Sequence, residues 1–443
     1  MIAAAWLATW VVPQGAFERA ASAHGHESVI PGSYQRLAEP VHLSPAAIVT
    51  AVPRGLVASA DIIFFVFIIG GVLGIVRRSG TIDALLGLVL SRFGHRPGWL
   101  IAVGMAVFAV GSSTLGMAEE YIPFVPVLLG LCAALSLDAV TAIGILVLGY
   151  GVGYGAAAVN PFTVVVAQEI AGLPPTSGAW FRILLLVPFW LVAFTYVRRY
   201  AARVARDPAA SFVAGVPPPR DLRPPEPVRV ERRHLLVAAT VAAAFGAILW
   251  GIKTRGWYLE EMSAVFLAVG VAVVFLGRLR ADEGAQTFIE GAAELTFTAL
   301  LIGFARGIKI VLEDGKIIDT IIDAVAAPLA DAGPAAASLG MFVFQSILNF
   351  FIPSGSGQAY VTMPIMAPLA DLTGVSRQVA VLAYQFGDGL TNMIVPTNAV
   401  LVGILGMAGI PFERWLRFIM PVMLRLWLIC IVALLAALAV GYR

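Results

Sequence analysis

Phe350-Phe-Ile-Pro-Ser354-Gly-Ser356-Gly-Gln358-Ala359, then a Pro-punctuated apolar arm, then Gln385-Phe-Gly-Asp388-Gly-Leu-Thr391-Asn392 and Val395-Pro-Thr397-Asn398, is the stretch on which the fold turns. Hydroxyls, amides, glycines and one carboxylate interrupt apolar sequence twice. Helix-breaking backbone at membrane depth is tolerated only where protein or a polar cavity shelters it, because unpaired amides and carbonyls in lipid cost several kcal/mol each. Such a stretch reads as a binding site. Paired discontinuous segments in two halves of a chain mark a transporter's site, so a counterpart is expected upstream.

The counterpart exists. Gly111-Ser112-Ser113-Thr114-Leu-Gly116 precedes Tyr121-Ile-Pro123-Phe-Val-Pro126, as Ser354-Gly-Ser356-Gly precedes Thr362-Met-Pro364-Ile-Met-Ala-Pro368. Gly149-Tyr-Gly-Val-Gly-Tyr-Gly155 answers Gly387-Asp-Gly389, Asn160-Pro-Phe-Thr163 answers Val395-Pro-Thr-Asn398, and Ala171-Gly-Leu-Pro174 returns as Ala408-Gly-Ile-Pro411. Ala60-Asp61 through Gly70 and Gly74 likewise resembles Ala293-Glu294 through Gly303 and Gly307. Matches in one order along both halves indicate an internal duplication.

Composition sets the class. The chain is 59% hydrophobic and 13% charged with mean hydropathy +0.89, against about a quarter charged residues in soluble domains. This is the composition of a polytopic membrane protein. The net charge of +2 offers no basic patch for nucleic acid. Both cysteines, Cys132 and Cys430, lie in apolar sequence, so no disulfide framework is implied. The five histidines fall outside the expected spans, and no metal-ligand spacing is present.

In chain order, residues 1–54 read as a partial span, whose start lies upstream, and an external polar loop from Pro13 to Pro53. Residues 55–200 form a first repeat: a span at Leu56–Val76, an interfacial helix at Thr81–Phe93, a re-entrant hairpin at 99–136 with its tip at Gly111–Gly116, a helix at Asp138–Leu173 broken at Gly149–Gly155, and a span at Phe181–Val197. The hairpin reading keeps Ser112, Ser113, Thr114, Glu119 and Glu120 out of lipid. Residues 201–234 are a Pro-rich cytoplasmic linker, and 235–277 hold connecting spans at Leu235–Trp250 and Tyr258–Leu276. The second repeat occupies 288–443, with a span at Phe288–Leu312, an interfacial helix at Ile317–Ala330, a hairpin at 335–372, a broken span at Gln378–Gly409 and a closing span at Trp415–Val440.

The spans between Leu56 and Phe288 are odd in number when hairpins count as none, so the second repeat is inverted relative to the first. Placing Arg77, Arg78, Arg92, Arg96, Arg198, Arg199, Arg203, Arg206, Arg278, Arg280, Arg414 and Arg417 inside leaves Glu313, Asp314 and Asp331 outside. The N-terminus is then cytoplasmic and the C-terminus external. The fold class is an all-α polytopic membrane protein of two inverted repeats.

Two tips entering from opposite faces would bring half-helix N-termini together, where free amides and the dipole suit a substrate carboxylate. Ser112, Ser113, Thr114, Ser354, Ser356 and Gln358 add hydroxyl and amide contacts, with Asn160, Asn392 and Thr397 beside them; the alternative is that small polar residues serve packing, their hydroxyls bonded to their own helix. Asp388, an acid in a Gly-flanked break, is the candidate for ion coupling, as a Na+ ligand or a proton carrier; the alternative is a pair with a neighbouring arginine. Gln385, Thr391, Asn398 and Thr163 supply neutral oxygens of the kind hard cations take. Glu119 and Glu120 either hold a substrate ammonium or pair with Arg306, Lys309 or Arg425.

Gly116-Met-Ala-Glu-Glu120, Asn160-Pro-Phe-Thr163, Ile352-Pro-Ser-Gly-Ser-Gly-Gln-Ala359, Phe386-Gly-Asp-Gly389 with Thr391-Asn392, and Val395-Pro-Thr397 resemble the YfcC-like branch of the C4-dicarboxylate anaerobic carrier family, within the ion transporter superfamily. The resemblance covers nearly the whole chain from Val11. It implies a bacterial inner-membrane secondary carrier, a homodimer whose hairpin-bearing core moves elevator-fashion against a scaffold, with C4-dicarboxylates or basic amino acids as substrates. The expectation is a secondary active transporter of a small carboxylate-bearing solute, without a cofactor beyond Na+ or H+ as coupling ion; an arginine/ornithine-type exchanger is the alternative. An intramembrane enzyme would need a nucleophile and base that the spans lack, and a channel would not need two closed hairpins around one site.

Overall fold

Apolar helices carry almost all of the chain in the computed structural model, which describes residues 2–21, 27–30, 32–82, 84, 97–160, 162–217, 230–255, 257, 259–329 and 332–443. Helix α1 (Ile2–Val11) leads into a loop bearing strands β1 (Gly15–Ala16), β2 (Arg19–Ala21), β3 (Glu27–Val29) and β4 (Gln35–Arg36), with β1 antiparallel to β4 and β2 to β3. Then come α2 (Ala46–Ala58), α3 (Ala60–Arg78), α4 (Pro97–Leu115), a 3-10 turn at Glu119–Tyr121, α5 (Phe124–Ala134), α6 (Ala139–Gly155), α7 (Val164–Ile170) and α8 (Ala179–Arg206). The second half contains α9 (Arg232–Arg255), α10 (Leu259–Leu276), α11 (Ala281–Glu294), α12 (Thr296–Asp314), α13 (Ile318–Ala326), α14 (Pro334–Phe351), α15 (Gly355–Leu372), α16 (Arg377–Thr391), α17 (Ala399–Met407) and α18 (Phe412–Ala439). Among the described residues α4, α8, α10, α14 and α18 are each long and apolar enough to cross a membrane alone. This is a multi-pass membrane protein.

Helices α6 and α16 form the centre. Nearly every residue of both is buried, whatever face it occupies, as expected of a helix surrounded by protein. α6 packs on α4, α16 packs on α14, and α6 and α16 pack on each other. At the other side, α2 lies on α12 and α3 on α11. Small residues permit these crossings. A β-carbon at Gly70 would lie 2.6 Å from the Gly291 carbonyl oxygen, and one at Gly291 would lie 2.4 Å from that of Gly70.

Several expected boundaries move, for physical reasons. The chain is not all-α, because the loop after α1 closes into two strand pairs, and its Arg19 makes a two-pronged contact with Asp319. That loop ends at Pro45 rather than Pro53. The expected spans at Leu56–Val76 and Phe288–Leu312 each contain a break, at Ser59 and Leu295. α2 and the Ile63–Arg78 portion of α3 are bent by 58°, which lets one pack on α12 and the other on α11. The linker starts at Asp207 rather than residue 201, since α8 continues to Arg206. Its first residues dock, with Ser211 donating to Asp138 Oδ2 at 2.6 Å and the Tyr200 hydroxyl bonded to the same oxygen. Most of the expected interfacial helix at Thr81–Phe93 and linker residues 218–229 lie outside the described residues.

The expected helix breaks are displaced as well. Gly149–Gly155 stays inside α6, and the break falls at Ala156–Thr163; Gly387-Asp388-Gly389 stays inside α16, and the break falls at Asn392–Asn398. These glycines serve close approach. A β-carbon at Gly389 would sit 2.6 Å from the Gly155 nitrogen, one at Gly387 2.4 Å from Gln345 Cβ, and one at Gly153 2.3 Å from the Ala109 carbonyl oxygen.

One polar knot ties the first break to the far end of the chain. Arg182, wholly buried, donates to the Ala158 carbonyl at 3.0 Å, the Ser177 carbonyl at 2.9 Å and the Tyr442 hydroxyl at 2.9 Å. Tyr442 donates in turn to the Gly178 carbonyl at 2.8 Å, and its own carbonyl accepts from Ser376 Oγ at 2.6 Å.

Gly389→Val forces side-chain atoms into the backbone of Tyr154 and Gly155 and is expected to destabilise the protein by about 1–3 kcal/mol. Gly246→Val, at a position with open space around it, serves as the reference. The measurement is thermal unfolding in detergent, with a lower midpoint expected for Gly389→Val only.

Candidate functional site

The two halves meet around Gly355, the first residue of α15. A β-carbon there would lie 2.5 Å from Thr163 Cγ2, 3.4 Å from Asp388 Oδ2 and 3.5 Å from the Phe162 carbonyl oxygen. Thr163 stands at the start of α7, and Asp388 lies in the last turn of α16. The carbonyl of Gly355 accepts from the Tyr384 hydroxyl at 2.6 Å. Only a residue without a side chain fits here, so the α15 N-terminus, the α7 N-terminus and the carboxylate converge.

Asp388 is fully buried. Its Oδ1 accepts from Asn392 Nδ2 at 3.3 Å, and no arginine or lysine pairs with it among the described residues. Its Oδ2 has no hydrogen-bond partner. Thr163 Oγ1, Asn349 Oδ1, Gln358 Oε1 and Gln385 Oε1 are buried and also lack partners. Unpartnered buried oxygens are costly, at about 1–3 kcal/mol each and more for a charged group. Every orphan in this set is an oxygen, the ligand type of hard cations.

Surrounding amides hold this layer in place. Gln385 Nε2 donates across to the Tyr154 carbonyl at 2.5 Å. Asn349 Nδ2 donates to Thr391 Oγ1 at 2.8 Å and to the Asp388 carbonyl at 3.2 Å. Thr391 donates to the Gly387 carbonyl. Gln358 Nε2 donates to Gln345 Oε1 at 2.6 Å, and Gln345 Nε2 to Thr362 Oγ1 at 3.0 Å. Asn398 caps α17 by accepting from the Leu401 amide at 2.9 Å, and its Nδ2 donates to Asn392 Oδ1 at 2.7 Å. Thr397 Oγ1 donates to the Phe350 carbonyl at 2.6 Å.

The serines divide. Ser354 caps α15, accepting from the Gly357 amide at 3.4 Å, and Ser356 is half-buried on the first turn of that helix. The cluster in the first half is placed differently: Ser112, Ser113 and Thr114 lie at the C-terminal end of α4, not at a helix N-terminus. Their hydroxyls donate to carbonyls, Ser112 to Met117 at 2.6 Å, Ser113 to Ala156 at 3.2 Å and Thr114 to Val110 at 2.6 Å. Of the three, only Thr114 bonds within its own helix; Ser112 and Ser113 bond to carbonyls outside it. The turn that follows is made by Gly116 at φ +76°, a left-handed conformation that glycine adopts without strain.

Asn160 is likewise committed to backbone, its Nδ2 donating to the Ser112 carbonyl at 3.1 Å and its Oδ1 accepting from the Phe162 amide at 2.9 Å. Glu119 lies half-buried in the 3-10 turn; the side chain of Glu120 lies outside the described residues. Of the cations weighed as their partners, Lys309 pairs with Glu313 at 3.3 Å, and Arg425 lies over the Tyr196 ring.

Sequence reasoning missed Gln345, Asn349, Tyr384 and Tyr154. Gln345 and Asn349 carried a usable signal: two amides four residues apart on one face of an apolar helix, just before the stretch that opens the site.

The family model of the C4-dicarboxylate anaerobic carrier matches residues 1–439. The chain belongs to that family. Among relatives of this carrier, the "Putative basic amino acid antiporter YfcC" of Escherichia coli is 35% identical over 402 residues, covering 87% of this chain and 79% of its own. An uncharacterized protein of Haemophilus influenzae is 33% identical over 398 residues, covering 88% and 78%. Among solved structures, the YdaH transporter of Alcanivorax borkumensis aligns with TM-score 0.47 at 16% identity, covering 100% of this chain and 97% of that one. MtrF of Neisseria gonorrhoeae aligns at 0.41 and 15%, covering 98% and 92%. Scores below 0.5 establish no common fold. The family membership makes this protein a non-enzymatic membrane carrier of a small molecule.

Asn160→Leu strands the buried Ser112 carbonyl and leaves the Phe162 amide without its acceptor, so a loss of about 1–3 kcal/mol of stability is expected. Asn160→Asp keeps the acceptor for Phe162 and loses less. Thermal unfolding of both variants in detergent checks the order.

Proposed function

We propose that this carrier is a secondary active transporter of a small carboxylate-bearing solute, a C4-dicarboxylate or an amino acid, coupled to Na+ or H+ through Asp388. The observation that carries the reading is the unpartnered Asp388 Oδ2, 3.4 Å from where a β-carbon of Gly355 would lie, with Thr163, whose own hydroxyl is unpartnered, approaching the same point through Cγ2. A desolvated cation satisfies such oxygens directly. A proton does so differently, by turning the Asp388 carboxylate into a hydroxyl donor. Either event removes the buried negative charge, and its release restores it, which is the requirement for coupling.

For the solute, the α15 N-terminus with Ser354 and Ser356 offers amides, hydroxyls and the positive end of a helix dipole to a carboxylate. Gln358 backs them, with Asn392 and Thr397 beside them; Gln385, Thr391, Asn398 and Thr163 are assigned with Asp388 to the coupling ion. Glu119 is assigned to an ammonium, where the solute has one. Reciprocal packing, α4 on α6 and α14 on α16 with α6 on α16, supports inverted repeats with re-entrant tips. Inner-membrane insertion with the N-terminus inside, a homodimer and elevator motion complete the proposal on the family likeness. A second reading, basic amino acid exchange, is favoured by the name of the Escherichia coli relative.

The test is uptake of labelled succinate, arginine and ornithine into proteoliposomes under an imposed Na+ gradient, an imposed proton gradient, or internal substrate alone. Gradient-driven succinate uptake supports the symporter, and gradient-free arginine–ornithine exchange supports the exchanger. Asp388→Asn is expected to abolish gradient-driven uptake with its melting temperature retained. Full activity in that variant removes Asp388 from the mechanism.

A further inference from the structure

Arg425 occupies a place where a cation is expensive. It lies 13 residues after Phe412 in the 28-residue α18, so its Cα is close to the middle of a helix about 42 Å long. Its neighbours Leu424 and Leu428 are 60% and 61% exposed, and Arg425 is itself exposed. That face looks onto lipid. Arg425 makes no ion pair among the described residues; its guanidinium lies 5.5 Å from the centre of the Tyr196 ring on α8.

The side chain does not stay at mid-depth. Tyr196 donates its hydroxyl to the Phe418 carbonyl at 2.5 Å, two turns before Arg425 in α18. Resting on Tyr196 therefore draws the guanidinium toward the start of α18, the direction in which a helical side chain leans. α8 packs on α18, its Tyr196 reaching Phe418 in the second turn of that helix, and runs on to end at Arg203 and Arg206; Arg203 is exposed two turns beyond Tyr196. Arg417 is exposed two turns below Arg425. One cation thus lies over an aromatic ring at the seam of two helices and a second, Arg203, stands exposed two turns farther along α8, at the end of the molecule that charge asymmetry puts in the cytoplasm.

We infer that the seam between α8 and α18 binds the phosphate of an anionic phospholipid from the inner leaflet, held by Arg425 and Arg203 over Tyr196. Charge complementarity selects the lipid over a second copy of the chain. α8 has no acidic residue, and the one in α18 is Glu413, in its first turn. A two-fold contact through this face would set arginines against arginines. A lipid phosphate supplies the missing negative charge at the depth a snorkelling arginine reaches, while Leu424, Leu428 and Val432 flank its chains.

The experiment uses delipidated full-length protein in neutral detergent, titrated with phosphatidylglycerol or phosphatidylcholine and read by native mass spectrometry and by thermal unfolding. Retention of phosphatidylglycerol with a raised unfolding midpoint, and neither with phosphatidylcholine, is expected. Arg425→Gln should weaken phosphatidylglycerol binding about tenfold, the equivalent of one charge-assisted hydrogen bond. Arg203→Gln should weaken it too, Arg425→Lys should keep part of it, and Arg255→Gln, over Trp250 on α9, should change nothing. Unfolding midpoints without lipid show that the variants fold. Equal phosphatidylglycerol binding by wild type and Arg425→Gln overturns the inference, as does equal binding of the two lipids or a dimer mass lost in Arg425→Gln with lipid retained. None of these readouts depends on transport, so they stand or fall apart from the role of Asp388.

Discussion

The rest of the structure depends on the approach of two backbones. α6 and α16 meet where Gly389 lies against Tyr154 and Gly155, with no side chain between them. That contact brings both helix ends, and therefore both breaks, into the same layer. It also explains how Gln385 reaches the Tyr154 carbonyl and how Thr163 from one half and Asp388 from the other come to crowd the same point beside Gly355. Bulk at the crossing would separate the halves and dissolve the site without touching any of its polar groups.

Around that crossing, the polar groups divide by what they bond to. Ser112, Ser113, Thr114 and Asn160 spend their hydrogen bonds on backbone carbonyls and amides of α4, the turn after it and the first break, groups that must be satisfied away from water. Most of the unpartnered oxygens of the site come from the second half, with Thr163 Oγ1 from the first. The asymmetry follows from where the clusters lie: at a helix C-terminus there are spare carbonyls to accept a hydroxyl, whereas at the N-terminus of α15 the spare groups are amides, which leave a ligand's oxygens something to bind.

Much of this was legible in the sequence. The polar interruptions at 352–359 and 385–398 stood out because an apolar chain has few reasons to contain them, and Asp388 was recognisable as an acid where acids are expensive. The roles of individual glycines were not legible: a glycine that breaks a helix and one that admits a neighbouring helix look alike until the neighbour is known, so the breaks were placed at Gly149–Gly155 and Gly387–Gly389 instead of just after them. The direction of a serine hydroxyl is equally silent in sequence. Likewise the kinks at Ser59 and Leu295 arise from packing against partners more than two hundred residues away, which no local pattern encodes.

The knot at Arg182 has a bearing on the order of events during synthesis. The Ala158 carbonyl, in the first break, is held by a guanidinium that also bonds the Ser177 carbonyl and the hydroxyl of Tyr442, 260 residues later than Arg182. Ribosomes deliver the chain from its N-terminal end, so the first half enters the bilayer long before that hydroxyl exists. Until then the segment bearing Asn160 and Thr163 lacks one of its anchors. Final setting of the earlier break is thus a late act of maturation, and a nascent half-carrier lacks the finished geometry of its own first break.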